Sequence, residues 1–397
     1  MDVGRGCSNS RRIRHDRLKL PVAPESPLLN RILEQIHAQG AISFASLMAA
    51  ALYDREHGFY ERSSSNHSDY FTSVTVHPWL FGALLTRHLD DVWTALGKPR
   101  PFRVIEIAAG DGTLAYQITQ RARGYPWYMD LEYIAIERSA VARMSARERV
   151  PTAQIFESID AIDTGDSAAI LSNELFDALP VRIVRRAGDS WVEMCVAWRD
   201  GGLVLVPQPA DMSIEAYVRQ FGSSLPIGGE LEMREGVTEL YVSIQDRAER
   251  WIMTSIDYGG LADEVHGPRF ARGSLLSYRE HRASENILAD PGTVDLTAHV
   301  NFSELIEAGN GIGATTAYWG AQADFLASLG VGEHLPAFQA REGVSILDYA
   351  REREAVFQLV SPTDMGRFRV LVQTQGVPNG ALKLLPAPLF DTERHNE

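Results

Sequence analysis

Four short groups of residues carry the side chains suited to chemistry in this chain. The first is Glu106-x-Ala108-x-Gly110-x-Gly112-Thr113, a carboxylate followed by a run of small residues. Gly110 and Gly112 can take backbone angles closed to other residues and let a ligand approach the main chain closely. The second is Glu137, whose two oxygens can accept both hydroxyl protons of a ribose. The third is Asn173-Glu174 with Asp177, and the fourth is Asp257-Tyr258. His299 stands apart, and a lone histidine is more often a hydrogen-bonded structural residue than a base.

The glycine turn suits two cofactors. Gly110, Gly112 and Ala115 satisfy the loose dinucleotide pattern, and Glu137 lies at a distance that an NAD-binding reading requires. Glu106 argues the other way. A carboxylate at the mouth of the turn repels a pyrophosphate, whereas S-adenosylmethionine (SAM) carries an ammonium and a sulfonium that it attracts. The stretch therefore reads as a SAM loop, with NAD as the alternative.

These groups need strands and helices to hold them. Arg103 to Ile107 carries β-branched residues at Val104, Ile105 and Ile107 and reads as a buried strand, and a helix follows from Thr113, with Gly124 placed to stop it. Further strands are expected at Leu131 to Ile136, Ala153 to Phe156 and Ala168 to Ser172, alternating with helices. That order implies a doubly wound, mostly parallel sheet with ligands outside the carboxyl ends of its strands. Glu137, Asn173-Glu174 and Asp257-Tyr258 each follow a core strand, so all face one crevice. Glycine-containing joints at Ala187-Gly188-Asp189 and Asp200-Gly201-Gly202 predict antiparallel hairpins. A helix near Thr238 to Glu249 precedes the strand Trp251 to Ile256. Phe368 to Thr374 reads as a last strand.

The expected layout is a flexible tail over 1–26, a helical cap over 27–100 and the first half of the core over 101–180. A β-hairpin insertion over 181–235, the second core half over 236–380 and a tail over 381–397 complete it. Ser63 to Asp69 has lid composition, and Leu261 to Val300 reads as a long lid loop. Thr72 and Ser73 are expected either to shape a cofactor lid or to cap the next helix.

Composition limits the partners. The 397 residues carry a formal net charge of −14, which argues against nucleic acid or an anionic membrane. An acidic face is compatible with a basic protein or peptide substrate. Two cysteines leave no disulfide framework and suit a reducing cytoplasm, and no metal-binding pattern is present, so no metal is expected. Monomer and homodimer both stay open.

Several blocks in order resemble the MidA-like family of SAM-dependent methyltransferases. They are Asp69-Tyr-Phe-Thr-Ser73 with Leu80-Phe-Gly82, Glu106 to Leu114, Ser172-Asn-Glu-Leu-Phe-Asp-Ala-Leu-Pro180, Ile256-Asp-Tyr-Gly259, Gly273 to Arg279 and Asp295 to Phe302. Two departures stand out. Val74-Thr75 replaces the family's usual Pro-Glu, and Asp111 stands where an arginine is commoner. The resemblance implies a Rossmann-like methyltransferase core and an arginine side chain of a protein partner as acceptor. A divergent enzyme acting on a peptide or small molecule, and a silent assembly factor keeping the fold, are the alternatives. It also implies cofactor contacts from Glu106, Ala108, Gly110, Gly112, Thr113, Glu137, Thr72 and Ser73. Glu174, Asp177 and Asn173 become candidate catalytic groups, since carboxylates orient a guanidinium. Asp257, Tyr258 and His299 become candidate substrate contacts.

Overall fold

The computed structural model describes residues 26–62, 72–279 and 282–383. The tails expected over 1–26 and 381–397 lie almost wholly outside these, as does the lid expected over Ser63 to Asp69. Helix α1, Pro27–Gln39, begins at a Ser26 cap and buries Leu28, Leu29, Ile32 and Ile36 on one face. Helix α2, Phe44–Tyr53, begins at Ser43, whose hydroxyl accepts the Ser46 N–H at 3.0 Å. Helix α3, Leu80–Ala95, follows.

Core strands and helices then alternate: β1 Phe102–Ile107, α4 Thr113–Ala122, β2 Leu131–Ile136, α5 Ala140–Arg149, β3 Gln154–Phe156 and β4 Gly165–Asn173. The chain leaves the core for β5 Val181–Ala187, β6 Ser190–Arg199, β7 Gly202–Pro209, α6 Met212–Phe221 and β8 Glu230–Arg234. It returns through α7 Val237–Arg247 and β9 Ala248–Asp257. Next come β10 Gly259–Gly260, α8 Ala262–Val265, β11 Leu276–Arg279, β12 Arg282–Ser284, β13 Asp295–Thr297 and β14 Val300–Asn301. The last elements are α9 Phe302–Gly311, β15 Thr315–Ala321, α10 Gln322–Ser328, α11 His334–Gln339, α12 Ile346–Val360 and β16 Arg369–Gln375.

The main sheet has the order β15-β16-β9-β4-β1-β2-β3. Strands β9, β4, β1, β2 and β3 run parallel, and β16 lies antiparallel between β9 and β15. Alternation along β1 sends Phe102 and Val104 to one face, with α3, α4, α10 and α12, and Ile105 and Ile107 to the other, with α7 and α9. Burial on both faces explains the near-continuous apolar runs. The α/β architecture with a mostly parallel sheet is the expected one.

Four local expectations change. The segment over 27–100 divides: α1 and α2 pack on the second sheet, β7-β6-β5-β8, while α3 packs on the core. Leu261 to Val300 is no open loop, because β12-β11-β13 form a small sheet and Ile287, Val294, Leu296 and Ala298 enter the core beneath α1 and α2. The insertion also holds α6, whose Ile214, Val218 and Phe221 cover the other face of its sheet. Gly124 lies beyond the end of α4 without a left-handed backbone.

Trp127 is fully buried among Phe102, Leu114 and Ile118, and its indole N–H donates to Asp90 at 2.9 Å. Trp127→Ala is expected to cost about 3–5 kcal/mol in denaturant unfolding. A loss below about 1 kcal/mol would contradict this packing.

Candidate active site

The carboxyl ends of β1, β2, β4 and β9 meet at a cleft of about 410 Å³. The turn after β1 is tight: Ala108, Gly110 and Gly112 have φ of +60°, +56° and +78°. Gly112 is favoured for a second reason, since a Cβ there would sit a tight 3.0 Å from Ala146 of α5. Glycine thus lets α4 start against its neighbour.

Glu137 organises this turn. Its Oε2 accepts the Gly110 N–H at 2.8 Å and its Oε1 accepts the Ser139 N–H at 2.7 Å. These two backbone bonds fix the carboxylate at the mouth of the turn. Asp111 does local work: its Oδ1 accepts the Thr113 N–H and hydroxyl at 3.0 and 2.6 Å, and its Oδ2 pairs with Arg149 at 2.8 Å. Glu106 is only 4 % exposed and accepts the Tyr133 hydroxyl at 2.7 Å. Burial pushes its carboxyl up to about 8, with Glu137 and Asp111 adding to the shift.

The second acidic group forms after β4. Glu174 has φ +54° and donates its N–H to the Ile256 carbonyl at 2.8 Å. Burial, then Asp177, lifts its carboxyl to about 8, against hydrogen bonds from Asn173 and the Ser73 N–H. Asn173 Nδ2 donates to Glu174 Oε1 at 3.0 Å. Asp177 accepts the Tyr258 hydroxyl at 2.5 Å, and burial raises it too. Asn173 Oδ1 and Asp177 Oδ1 are buried acceptors with no hydrogen-bond partner among the described residues. His299 packs edge-on to Tyr258, and burial followed by Arg367 lowers its ring to about 4, leaving it neutral.

Eleven of the residues singled out in the sequence line this cleft: Glu106, Ala108, Gly110, Thr113, Glu137, Thr72, Asn173, Glu174, Asp177, Tyr258 and His299. Gly112, Ser73 and Asp257 do not. Ser73 is fully buried, and its hydroxyl donates to Gln322 at 3.1 Å. Neither Thr72 nor Ser73 caps α3; the Trp79 and Leu80 N–H groups bond to His77 Nδ1 at 3.3 and 3.1 Å. Asp257 has both oxygens engaged by backbone N–H groups. Sequence reasoning passed over Tyr53, Tyr60, Tyr278, Asp295, Thr297 and Arg367, which also line the cleft. The blocks containing Tyr278, Asp295 and Thr297 were visible, but nothing in their spacing said which side chains turn inward.

His77, His334 and Glu352 gather elsewhere, with ligand-type atoms within 4.8 Å. His77 Nδ1 accepts backbone N–H groups, so a neutral ring keeps its proton on Nε2, which faces Glu352 at 3.1 Å. That proton occupies the nitrogen a metal needs. The trio, completed by His334 Nε2 at 2.6 Å from Glu352, is a hydrogen-bonded clasp between the Thr72–Trp79 segment and α12.

Residues 84–319 match the family described as "Putative S-adenosyl-L-methionine-dependent methyltransferase". The chain belongs to this family. The Mus musculus protein arginine methyltransferase NDUFAF7, mitochondrial, is 26% identical over 86% of this chain and 80% of its own length. The Homo sapiens counterpart is 24% identical over 86% and 80%. A superfamily member and "likely methyl transferase" from Burkholderia thailandensis, bound to S-adenosyl-homocysteine, superposes with a TM-score of 0.77 at 25% identity, covering 90% of this chain and 96% of that one. A second Burkholderia thailandensis structure reaches 0.80 at 26% identity, covering 92% and 98%. This SAM-dependent methyltransferase therefore has the cofactor that Glu106 favoured over NAD. The cytoplasmic setting expected from the two cysteines is overturned by the mitochondrial relatives.

Glu106 predicts a pH signature in the ligand-free protein. Its folded carboxyl sits near 8 against an ordinary 4.5, so its contribution to stability is complete below the lower value and is lost as pH rises through the upper one. Glu106→Gln keeps an acceptor for Tyr133 and is expected to raise the melting temperature above wild type at pH 9 but not at pH 4.5. Parallel melting curves across that range would contradict the assignment.

Proposed function

We propose that the protein methylates an arginine side chain of a protein partner. The observation that carries this reading is the acidic wall of the cleft, where Glu174 and Asp177 stand beside Asn173. A guanidinium, with five donors and a fixed positive charge, matches an acidic cleft. The arginine methyltransferase relatives support the same acceptor.

Bound SAM supplies a methyl group already activated by a sulfonium. In this proposal the Glu137 carboxylate meets the ribose hydroxyls and Glu106 meets the ammonium. The backbone of Ala108 and Gly110 lets the adenosine approach, the Gly112-Thr113 helix start borders it, and Thr72 forms part of the rim. Asn173 and Asp177 orient the guanidinium. Glu174, ionised once a cation lowers its raised carboxyl, takes the proton that the attacking nitrogen loses. Tyr258 steadies Asp177 through its hydroxyl, and neutral His299 closes the wall without adding positive charge.

One observation favours a second acceptor. Val74 and Thr75 line the cleft where the MidA-like pattern has Pro-Glu, so the wall lacks one carboxylate and suits a different peptide or small molecule.

Incubation with methyl-labelled SAM and arginine-bearing peptides, followed by mass spectrometry, tests the proposal. Label on arginine that falls about 100-fold in Glu174→Ala supports it. Label on another residue or on a small molecule supports the second acceptor, and no transfer with SAM bound leaves a scaffold.

A further inference from the structure

Asp257 closes β9, has no exposed surface, and does not line the cleft. Its Oδ2 accepts the Phe176 N–H at 2.9 Å and the Asp177 N–H at 3.3 Å, and its Oδ1 accepts the Tyr258 N–H at 2.9 Å. One side chain therefore joins the turn after β4 to Tyr258, the residue that follows β9. The join matters because that turn contains Glu174 at φ +54°. A left-handed backbone is unfavourable for any residue with a Cβ, so surrounding bonds must hold it.

The Glu174 N–H is already tied to the Ile256 carbonyl, one residue before Asp257. The end of β9 thus grips the turn at Glu174, Phe176 and Asp177. From the far side, the Asp177 carbonyl accepts the Ala298 N–H at 3.0 Å. The Tyr258 hydroxyl closes the loop on the Asp177 carboxylate. The side-chain bonds of Asp257 end on Phe176 and Asp177 of that turn and on Tyr258, whose hydroxyl meets the Asp177 carboxylate.

We propose that Asp257 is a positioning residue for methyl transfer, holding the Glu174–Asp177 turn in its left-handed form so that both carboxylates face the cleft. This rests on the reading of Glu174 and Asp177 as the acceptor-binding pair, but its first test needs neither acceptor nor cofactor. Glycine adopts φ +54° at little cost, whereas alanine is disfavoured there by its Cβ. Melting of Glu174→Gly is expected above that of Glu174→Ala by about 2 °C or more, and the difference should vanish when Asp257→Asn is added. Equal melting of the two variants in the otherwise unchanged protein would overturn the proposal, even if Asp257→Asn fails to fold. A difference that persists beside Asp257→Asn would also overturn it.

The second test uses an arginine peptide that the wild-type protein methylates. Asp257→Asn should lower kcat/KM for the peptide by about tenfold or more, with the Kd for S-adenosyl-homocysteine within about twofold. Added to Glu174→Ala, it should cost less than about twofold further. Additive losses, or loss of S-adenosyl-homocysteine binding, would assign Asp257 a general structural role instead. Because the melting comparison uses no peptide, it separates failure of this proposal from failure of the arginine reading.

Discussion

Several carboxylates share one poorly hydrated region at the ends of β1, β4 and β9, and the surrounding structure is arranged to tolerate them. Burial lifts Glu106, Glu174, Asp177 and Asp257. Hydrogen bonds supply part of the compensation: Tyr133 to Glu106, Tyr258 to Asp177, and three backbone N–H groups to Asp257. Arg234, only 3 % exposed, lies behind the group and lowers both Asp177 and Asp257. Its Nη2 is held by the carbonyls of Ala298 and His299 at 3.0 and 3.3 Å, so this positive charge stays in the protein and is not spent on a close ion pair. A ligand cation entering the cleft would add to it, which is why the same region suits both an ammonium and a guanidinium.

Backbone strain follows the same plan. Ala108 and Glu174 are non-glycine residues in the left-handed region, and each follows the carboxyl end of a parallel strand. Both positions turn the chain sharply away from the sheet and expose backbone or carboxylate to the crevice. Such strain persists where neighbouring bonds over-determine it. At Ala108 the flanking Ala109 N–H is bound to the Ile136 carbonyl, and at Glu174 the N–H is bound to the Ile256 carbonyl.

The sheet was legible because its strands are buried on both faces and their apolar runs are bounded by turn residues. Strand β15 was not, since Thr315-Thr-Ala-Tyr318 lies at the sheet edge with its first three residues exposed and little apolar contrast. The β11–β13 sheet was hidden for a related reason: its strands are three or four residues long, too short for alternation to register. Glu106 and Glu137 could be placed in the cleft because spacing from a glycine turn restricts where they point. Asp257 was misjudged because a strand end places a side chain near the crevice without saying whether it faces the ligand or the neighbouring turn. Ser73 was misjudged because its partner, Gln322, is 249 residues away.

Burial lifts the Glu106 and Glu174 carboxyls to about 8, so both should ionise when a cation binds beside them. Calorimetry of S-adenosyl-homocysteine binding at pH 7, repeated in buffers of different ionisation enthalpy, reads that event directly. The account predicts net proton release on binding, reduced in Glu106→Gln. Binding with no proton exchange, or release unchanged in Glu106→Gln, would contradict it.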